Sequence, residues 1–290
     1  MWYTIKNILK KILLKINPVY RAVHGSKNQL DNLLETVHEN KHQLDNLLEI
    51  ENKNKLELEN IVLHFCKDDK TYLHSDVPPI KLAQIDYLAS LTNKKNMKIL
   101  EIGSRNVTGN NNFRSKFSEA EYVGFDFYLG ENVDIVGDAH KLSSYFDKNE
   151  KFDAIFSVAV FEHFAMPWVV VNEISKLLKI GGLVLTATHF SFSSHERPWH
   201  FFQFSDMALR VLFSPAMGFE CIDAGMGMPM VGRFSSIGVA ETHKNLPVTG
   251  LYCSAHHLGK KIKDIENFKW DSINLLDVVG ETKYPEPIKN

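Results

Sequence analysis

Apolar and polar positions divide the chain into stretches of different period. In residues 1–27, Ile5, Ile8, Leu9, Ile12, Leu13 and Ile16 recur at helical spacing, with Lys6, Lys10, Lys11 and Lys15 between them. Arg21 and Lys27 add to the charge and no acidic residue offsets it, so a basic amphipathic helix is expected. Next, QLDNLLE occurs at Gln29–Glu35 and again at Gln43–Glu49, an offset of fourteen residues, or two heptads. Leu30, Val37 and Leu44 then share one heptad position and Leu33, Asn40 and Leu47 the other, with Leu34 and Leu48 alongside. That is the stripe of a coiled coil, in which Asn40 sets register or strand number at a cost in stability; an amphipathic helix folded against the main domain is the other reading. No proline occurs from Ala22 to Val77, so one long helix is allowed, and Pro78 and Pro79 punctuate its end.

From about Ile80 the period changes to short apolar runs separated by helical stretches, which predicts α/β organisation. Strands are expected at Met97–Ile102, Tyr122–Asp126, Val133–Val136, Ala154–Val158 and Leu183–Thr188. Two more fall at Phe219–Ala224 and Leu251–His256, with the glycine and methionine run Gly225–Met230 between them. Seven strands make a doubly wound, mostly parallel sheet carrying an N-terminal helical and coiled-coil extension. The boundaries expected are a basic helix over 1–25, a stalk over 26–77, the α/β domain over 78–265 and a tail over 266–290.

Composition adds little: 44% hydrophobic and 23% charged residues are ordinary for a soluble globular chain of 290 residues. A formal net charge of -2 gives no general attraction to nucleic acid, so no nucleic-acid partner is expected. Cys66, Cys221 and Cys253 lie far apart and fit neither a zinc pattern nor a disulfide framework, which points to a reducing compartment. Lysines every few residues argue against a membrane span in the first helix, and no small-residue cleavage site follows it. It is read as lying on a membrane surface, or as packed on its own domain or a partner.

Candidate chemistry gathers at the expected carboxyl ends of the strands, where ligands bind such sheets: Glu101, Asp126, Asp138 and Glu162. KILEIGSRNVTG, Lys98 to Gly109, runs an apolar strand with a carboxylate straight into a glycine-containing loop, which suggests a ligand loop. Asp126 closes YVGFD, 25 residues after Glu101, where an acid can accept both hydroxyls of a ribose. Asp138, in DIVGDAH, can accept from an exocyclic adenine amine. Either aspartate alone reads better as a helix N-cap or turn residue; their joint order and spacing after a glycine loop reverse that and describe an adenosine pocket. GxGxxG is absent, which argues against a dinucleotide and an NAD-linked or nucleotide-sugar oxidoreductase. A zwitterionic amino-acid tail fits better: Glu101 can hold an ammonium group, directly or through water, and the amides around Gly103 or the Arg105 guanidinium can meet a carboxylate. Adenosine joined to an amino acid is S-adenosylmethionine.

At these residues the chain resembles the class I S-adenosylmethionine-dependent methyltransferases, in the type 11-like branch whose first motif reads E-x-G-S-R. The resemblance runs from about Asn96 to Phe219 through EIGSR, YVGFD, VDIVGDAHKL, FDAIFSVAVFEH, PWVVVNEISKLLKIGGLVLTAT and HERPWHFFQFS. Arg105 and Val107 stand where the commonest first motif has its second and third glycines. The resemblance implies the Rossmann-like methyltransferase fold, S-adenosyl-L-methionine as cofactor, and cofactor contacts from Glu101, Gly103, Ser104, Arg105, Asp126, Asp138 and Ala139.

Methyl transfer to a hydroxyl requires alignment of the acceptor and removal of its proton. Phe161, Glu162 and His163 follow the fourth strand candidate, and Glu162 or His163 can be a base or a substrate ligand, or can simply bond the cofactor loop and the next helix. SSHERPWHFFQFS, Ser193 to Ser205, brings His195, Trp199, His200 and Phe202 as a substrate-side wall suited to a sugar or another ring-bearing acceptor, though its phenylalanines can also be core. His163 ranks first and His195 second as general base. HExxH is absent and no metal is expected. The whole reads as a cytoplasmic enzyme working at the inner face of a membrane, self-associating through its coiled coil and O-methylating a sugar in bacterial surface-polysaccharide or lipid-linked glycan synthesis. A diffusible small metabolite as acceptor, or a non-catalytic scaffold with a relict cofactor fold, are the alternatives.

Overall fold

The computed structural model describes residues 3–11, 27–65, 77–80, 84–107, 109, 112–274, 276 and 278. The chain divides into two units, residues 1–68 and 69–290.

In the first unit, residues 3–11 are helical (α1), and α2 runs over Lys27–Phe65, spanning both copies of the repeat; residues 66–76 of the expected stalk lie outside the described residues. Asn40, Leu44, Leu47 and Glu51 form a half-buried stripe at heptad spacing, whereas Leu34, Leu48 and Leu56 are 54%, 48% and 59% exposed. Ile12, Leu13, Lys15, Ile16, Arg21 and Cys66 lie outside the described residues. Among the described residues no helix is long and apolar enough to cross a membrane.

The second unit is built on a seven-stranded sheet. In chain order it carries α3 (Gln84–Thr92), β1 (Lys98–Ile102), β2 (Glu121–Asp126), β3 (Ile135–Val136), β4 (Phe152–Val158), α4 (Pro167–Leu177), β5 (Leu178–His189), α5 (Asp206–Leu212) and β6 (Phe219–Pro229). A two-stranded ribbon, β7 (Gly232–Arg233) with β8 (Pro247–Val248), precedes β9 (Tyr252–Lys261). The order across the sheet is β3-β2-β1-β4-β5-β9-β6. Pairings among the first five are parallel, and β9 runs antiparallel between β5 and β6. This is the Rossmann-like methyltransferase fold, and its order reverses between β1 and β4, where a doubly wound sheet opens a crevice.

Strands buried on both faces read as continuous apolar runs, because successive side chains point to opposite sides. Leu100, Ile155 and Val184 enter one core with Val170, Val171 and Ile174 of α4 and Leu209 of α5; Ile99, Phe156 and Leu185 enter the other with Leu88 of α3. Pro167 opens α4 at its first turn, where its missing N–H costs nothing. The buried Lys261 ammonium donates to the Ser175 and Leu178 carbonyls at the other end of that helix and pairs with Asp264.

One expected connection is a strand. Gly225–Met230 does not leave the sheet; β6 continues to Pro229. The glycines serve a close approach: a Cβ on Gly225 would lie 2.6 Å from the Pro78 carbonyl oxygen and one on Gly227 2.5 Å from Ile80. The Met226 amide donates to Pro78 O at 2.9 Å and Ile80 N to Met226 O at 3.2 Å, so residues 78–80 cover the edge of the sheet.

Candidate active site

At the end of β1 the chain turns through Gly103, whose φ is +80°. A Cβ there would sit 2.2 Å from Val160 Cγ2, so both the left-handed backbone and the lack of a side chain are required. The amides of Gly103 and Ser104 donate to Phe125 O at 2.7 and 3.1 Å, locking the loop to β2. Ser104 is buried and its Oγ has no hydrogen-bond partner among the described residues. Glu101 is 6% exposed and accepts from the Tyr122 hydroxyl. Burial pushes its carboxyl up to about 7, against the pull of Tyr122 and of the nearby Arg114 charge.

Asp126 ends β2. Its carboxylate accepts from the amides of Arg105 at 3.2 Å and Tyr128 at 2.9 Å, and the Arg105 guanidinium pairs with it at 3.4 Å while packing over the Tyr128 ring. Arg105 is thus engaged with Asp126. Asp138 caps the turn after β3, accepting from the His140 amide at 2.9 Å and the His140 ring at 2.7 Å, with Ala139 buried behind it. Burial alone would raise its carboxyl, but the His140 bonds outweigh that and hold it below the ordinary value. The structure thus shows Asp138 as the cap of this turn.

Across the β1/β4 switch, Phe161–His163 form a 3-10 turn after β4. Glu162 is fully buried; its Oε2 accepts from Thr188 Oγ1 at 2.6 Å, and its Oε1 lies 2.8 Å from His189 Nδ1 at the end of β5. Burial alone would raise this carboxyl too, and contact with His189 and Thr188 leaves it lowered. The segment after β5 returns to where it began: Phe204 N donates to His189 O at 2.8 Å, and Gln203 bonds both N–H and C=O of Phe192. Its Phe201 and Phe202 amides donate to Glu162 O at 2.9 and 3.3 Å, clipping it to the FEH turn.

This fold-back brings the histidines together. His163 and His195 rings stand 4.9 Å apart, His195 and His200 4.6 Å, and His189 and His195 5.2 Å. His163 Nδ1 is 2.7 Å from Trp199 O and His195 Nδ1 2.9 Å from Ser193 O, so each Nδ1 donates, and in the neutral ring Nε2 is the nitrogen with the lone pair. Beside them Trp199, 52% exposed, packs 5.9 Å from Phe127, which stacks edge-on with Tyr128 at 4.9 Å. Phe202 points to Trp168 and Phe204 instead, a packing residue in part.

The structure therefore brings His163, His195 and His200 together beside Glu162, and sets Glu101, Asp126 and Asp138 at or just after the ends of β1, β2 and β3. His189, Thr188 and Tyr122 were not anticipated; a polar pair closing the apolar run of β5 was the only local signal for the first two.

Residues 100–186 match the family model of the methyltransferase domain. No curated protein matches the chain significantly. Among solved structures, TehB from Haemophilus influenzae is 16% identical with a TM-score of 0.42, over 62% of this chain and 62% of that one. The chain thus spans less than two thirds of TehB. A Burkholderia thailandensis 1,6-didemethyltoxoflavin-N1-methyltransferase, with bound 1,6-didemethyltoxoflavin and S-adenosylhomocysteine, is 12% identical over 73% of this chain and 90% of that one, with a TM-score of 0.43. The plantazolicin methyltransferase BamL, in complex with a triazolic desmethylPZN analogue and S-adenosylhomocysteine, is 18% identical over 62% of this chain and 82% of that one, with a TM-score of 0.41. Likenesses of this size do not bear on the acceptor.

Proposed function

We propose that this class I S-adenosylmethionine-dependent methyltransferase, its domain matched over residues 100–186, methylates a hydroxyl of a sugar, with proton removal at the Glu162–His163–His195 cluster. S-adenosylmethionine supplies the activated methyl group. The residues at the ends of β1 to β3 suit that cofactor: a buried carboxylate for an ammonium and an unpartnered Ser104 hydroxyl, on a loop whose Gly103 packs closely on Val160. Ribose and adenine contacts are assigned to Asp126 and Asp138.

The observation that carries the acceptor reading is the pair of imidazoles whose Nε2 lone pairs are set by backbone carbonyls, beside exposed Trp199 and Phe127. A hydroxyl needs proton removal, which a positioned base accelerates by about 100- to 10,000-fold. Aromatic faces rimmed by polar donors suit a pyranose ring. A lipid-linked or surface-polysaccharide glycan is the acceptor we assign; the basic amphipathic pattern of residues 1–27 and the heptad pattern of α2, with Leu34, Leu48 and Leu56 exposed beside its seam, support a membrane-side, self-associating stalk.

Labelled S-adenosylmethionine offered with lipid-linked glycans, nucleotide sugars and small phenols tests this. Label in glycans alone, lost in His163→Ala, supports it; label in phenols alone removes the sugar. Sedimentation of the full chain against residues 73–290 tests the stalk, and equal monomeric masses would reject it. Anionic vesicles should retain the full chain and release residues 28–290.

A further inference from the structure

Glu162, His163 and His195 come from two separate stretches of chain, yet one ligand-capable atom of each lies within 4.8 Å of the other two. Glu162 Oε1 is 3.9 Å from His163 Nε2. Three further features turn proximity into a site. Glu162 is fully buried, and its Oε1, although 2.8 Å from His189 Nδ1, has no aligned hydrogen-bond donor among the described residues. A buried carboxylate oxygen in that state suits a cation. Both histidines donate Nδ1–H to a main-chain carbonyl, the outer contact that metal-bound imidazoles make, leaving Nε2 as the ligand atom. Finally, the carboxylate is itself held by Thr188 on its other oxygen, and the main-chain bonds from Phe201 and Phe202 to Glu162 O fix the two stretches to each other.

We propose that Glu162, His163 and His195 form a binding site for a first-row divalent cation such as zinc or cobalt. Two imidazoles and one carboxylate favour that class over magnesium or calcium, which take oxygen ligands. Bonds of about 2.0–2.1 Å put tetrahedral ligand atoms roughly 3.3 Å apart. The observed separations need side-chain shifts on the order of 1 Å. Three protein ligands leave a coordination position open, the arrangement of catalytic rather than structural sites. The role of the cation rests on the methyl-transfer reading: an acceptor hydroxyl in the open position would become more acidic and would lose its proton to bulk water rather than to a free imidazole, while the O–C bond forms, the sulfonium S–C bond breaks and S-adenosylhomocysteine leaves. Binding itself does not depend on that reading.

The test uses the full chain after chelator treatment, titrated with zinc alone by calorimetry and with cobalt alone by visible absorption. One equivalent should bind. Outer contacts are worth about 10- to 100-fold in metal affinity, so His195→Ala and Glu162→Gln should each lower it by at least about 100-fold. His243→Ala, an exposed histidine outside the cluster, should change it by less than about 3-fold. Because Glu162 is buried and its variant can unfold, X-ray absorption of the zinc-loaded natural chain supplies a second measurement, expected to count two imidazole nitrogens at about 2.0 Å. Absence of saturable binding, affinity unchanged in His195→Ala, or a nitrogen count other than two overturns the proposal. Metal-free protein that methylates at full rate overturns the catalytic role and leaves methyl transfer standing. A specific site with no methyl transfer to any acceptor does the reverse.

Discussion

At the ends of β1, β2 and β3 three carboxylates are satisfied by residues close to them in the sheet: Glu101 by Tyr122, Asp126 by the amides of Arg105 and Tyr128, and Asp138 by His140. At the ends of β4 and β5 the buried Glu162 is met by Thr188 and His189, and its backbone carbonyl by residues almost forty positions further on. The first half is a set of local motifs, each a strand, a turn and an acid. The second is a tertiary assembly in which a returning loop supplies what the strand ends lack. Local motifs tolerate variation elsewhere in the chain, whereas the assembly depends on one fold-back. Cofactor binding and acceptor chemistry should therefore respond to different substitutions.

The largest effect that could break this division comes from Gly103, which touches both halves through Val160. Gly103→Ala forces a non-glycine residue to φ +80° and a Cβ to 2.2 Å from Val160. Strain and overpacking of roughly 2–4 kcal/mol should lower S-adenosylmethionine affinity by about 30- to 700-fold. Calorimetry on Gly103→Ala with Val160→Ala separates the two causes: the second change removes the clash and leaves the backbone strain, so partial recovery is expected. Full affinity in Gly103→Ala alone would show that the loop is not close-packed.

Glu101 sharpens the comparison next. Its carboxyl is raised from 4.5 to about 7 by burial, so a bound ammonium must draw off a proton. Affinity should fall as pH drops below about 7 and level off above it, with proton release on binding at pH 6.5. Glu101→Gln should weaken binding by about 10- to 100-fold and flatten the profile. His256 and His257 act oppositely on the fold. Burial lowers them from 6.5 to about 4 and about 3, so the unfolded chain takes up their protons first. Stability is full above about 6.5 and lost as pH falls through 4 toward 3, whereas the part due to Glu101 is full below about 4.5 and lost as pH rises through 7. Thermal melting from pH 7 down to 4 should show a steep fall, and one that is flat would mean the two imidazoles are hydrated.

The two halves also differ in how far they could be read from the sequence. EIGSR, YVGFD and GDAH each hold strand, turn and acid within a few residues, so the order alone located them. The partner of Glu101 could not be read that way, since Tyr122 reaches it only through the parallel register of β1 and β2. Nor could the engagement of Arg105, expected to meet the cofactor and found against Asp126. On the acceptor side the residue types were visible but not their pairing: nothing in the spacing of His163, His189 and His195 says that Phe201 and Phe202 pull one stretch onto the other. Gly225 and Gly227 read as a connection because the chain that presses on them, Pro78 to Ile80, is remote in sequence.

The smallest expected effect is the cleanest separation of acceptor contact from acceptor chemistry. Trp199 contributes its carbonyl to His163 and its exposed ring to the rim, and only the ring is lost in Trp199→Ala. The main-chain bonds at Glu162 and the His163 contact belong to the backbone and should persist. Loss of one stacking face is worth about 1 kcal/mol, a roughly 5-fold rise in KM for a ring-bearing acceptor with kcat nearly unchanged. S-adenosylmethionine affinity should not move, because Asp126 and Asp138 keep their own local partners. Steady-state kinetics with an identified acceptor, beside calorimetry of the cofactor, decides. A fall in kcat with KM unchanged would mean that the ring holds the imidazoles in place, and a matching loss of cofactor affinity would mean that the halves are one site.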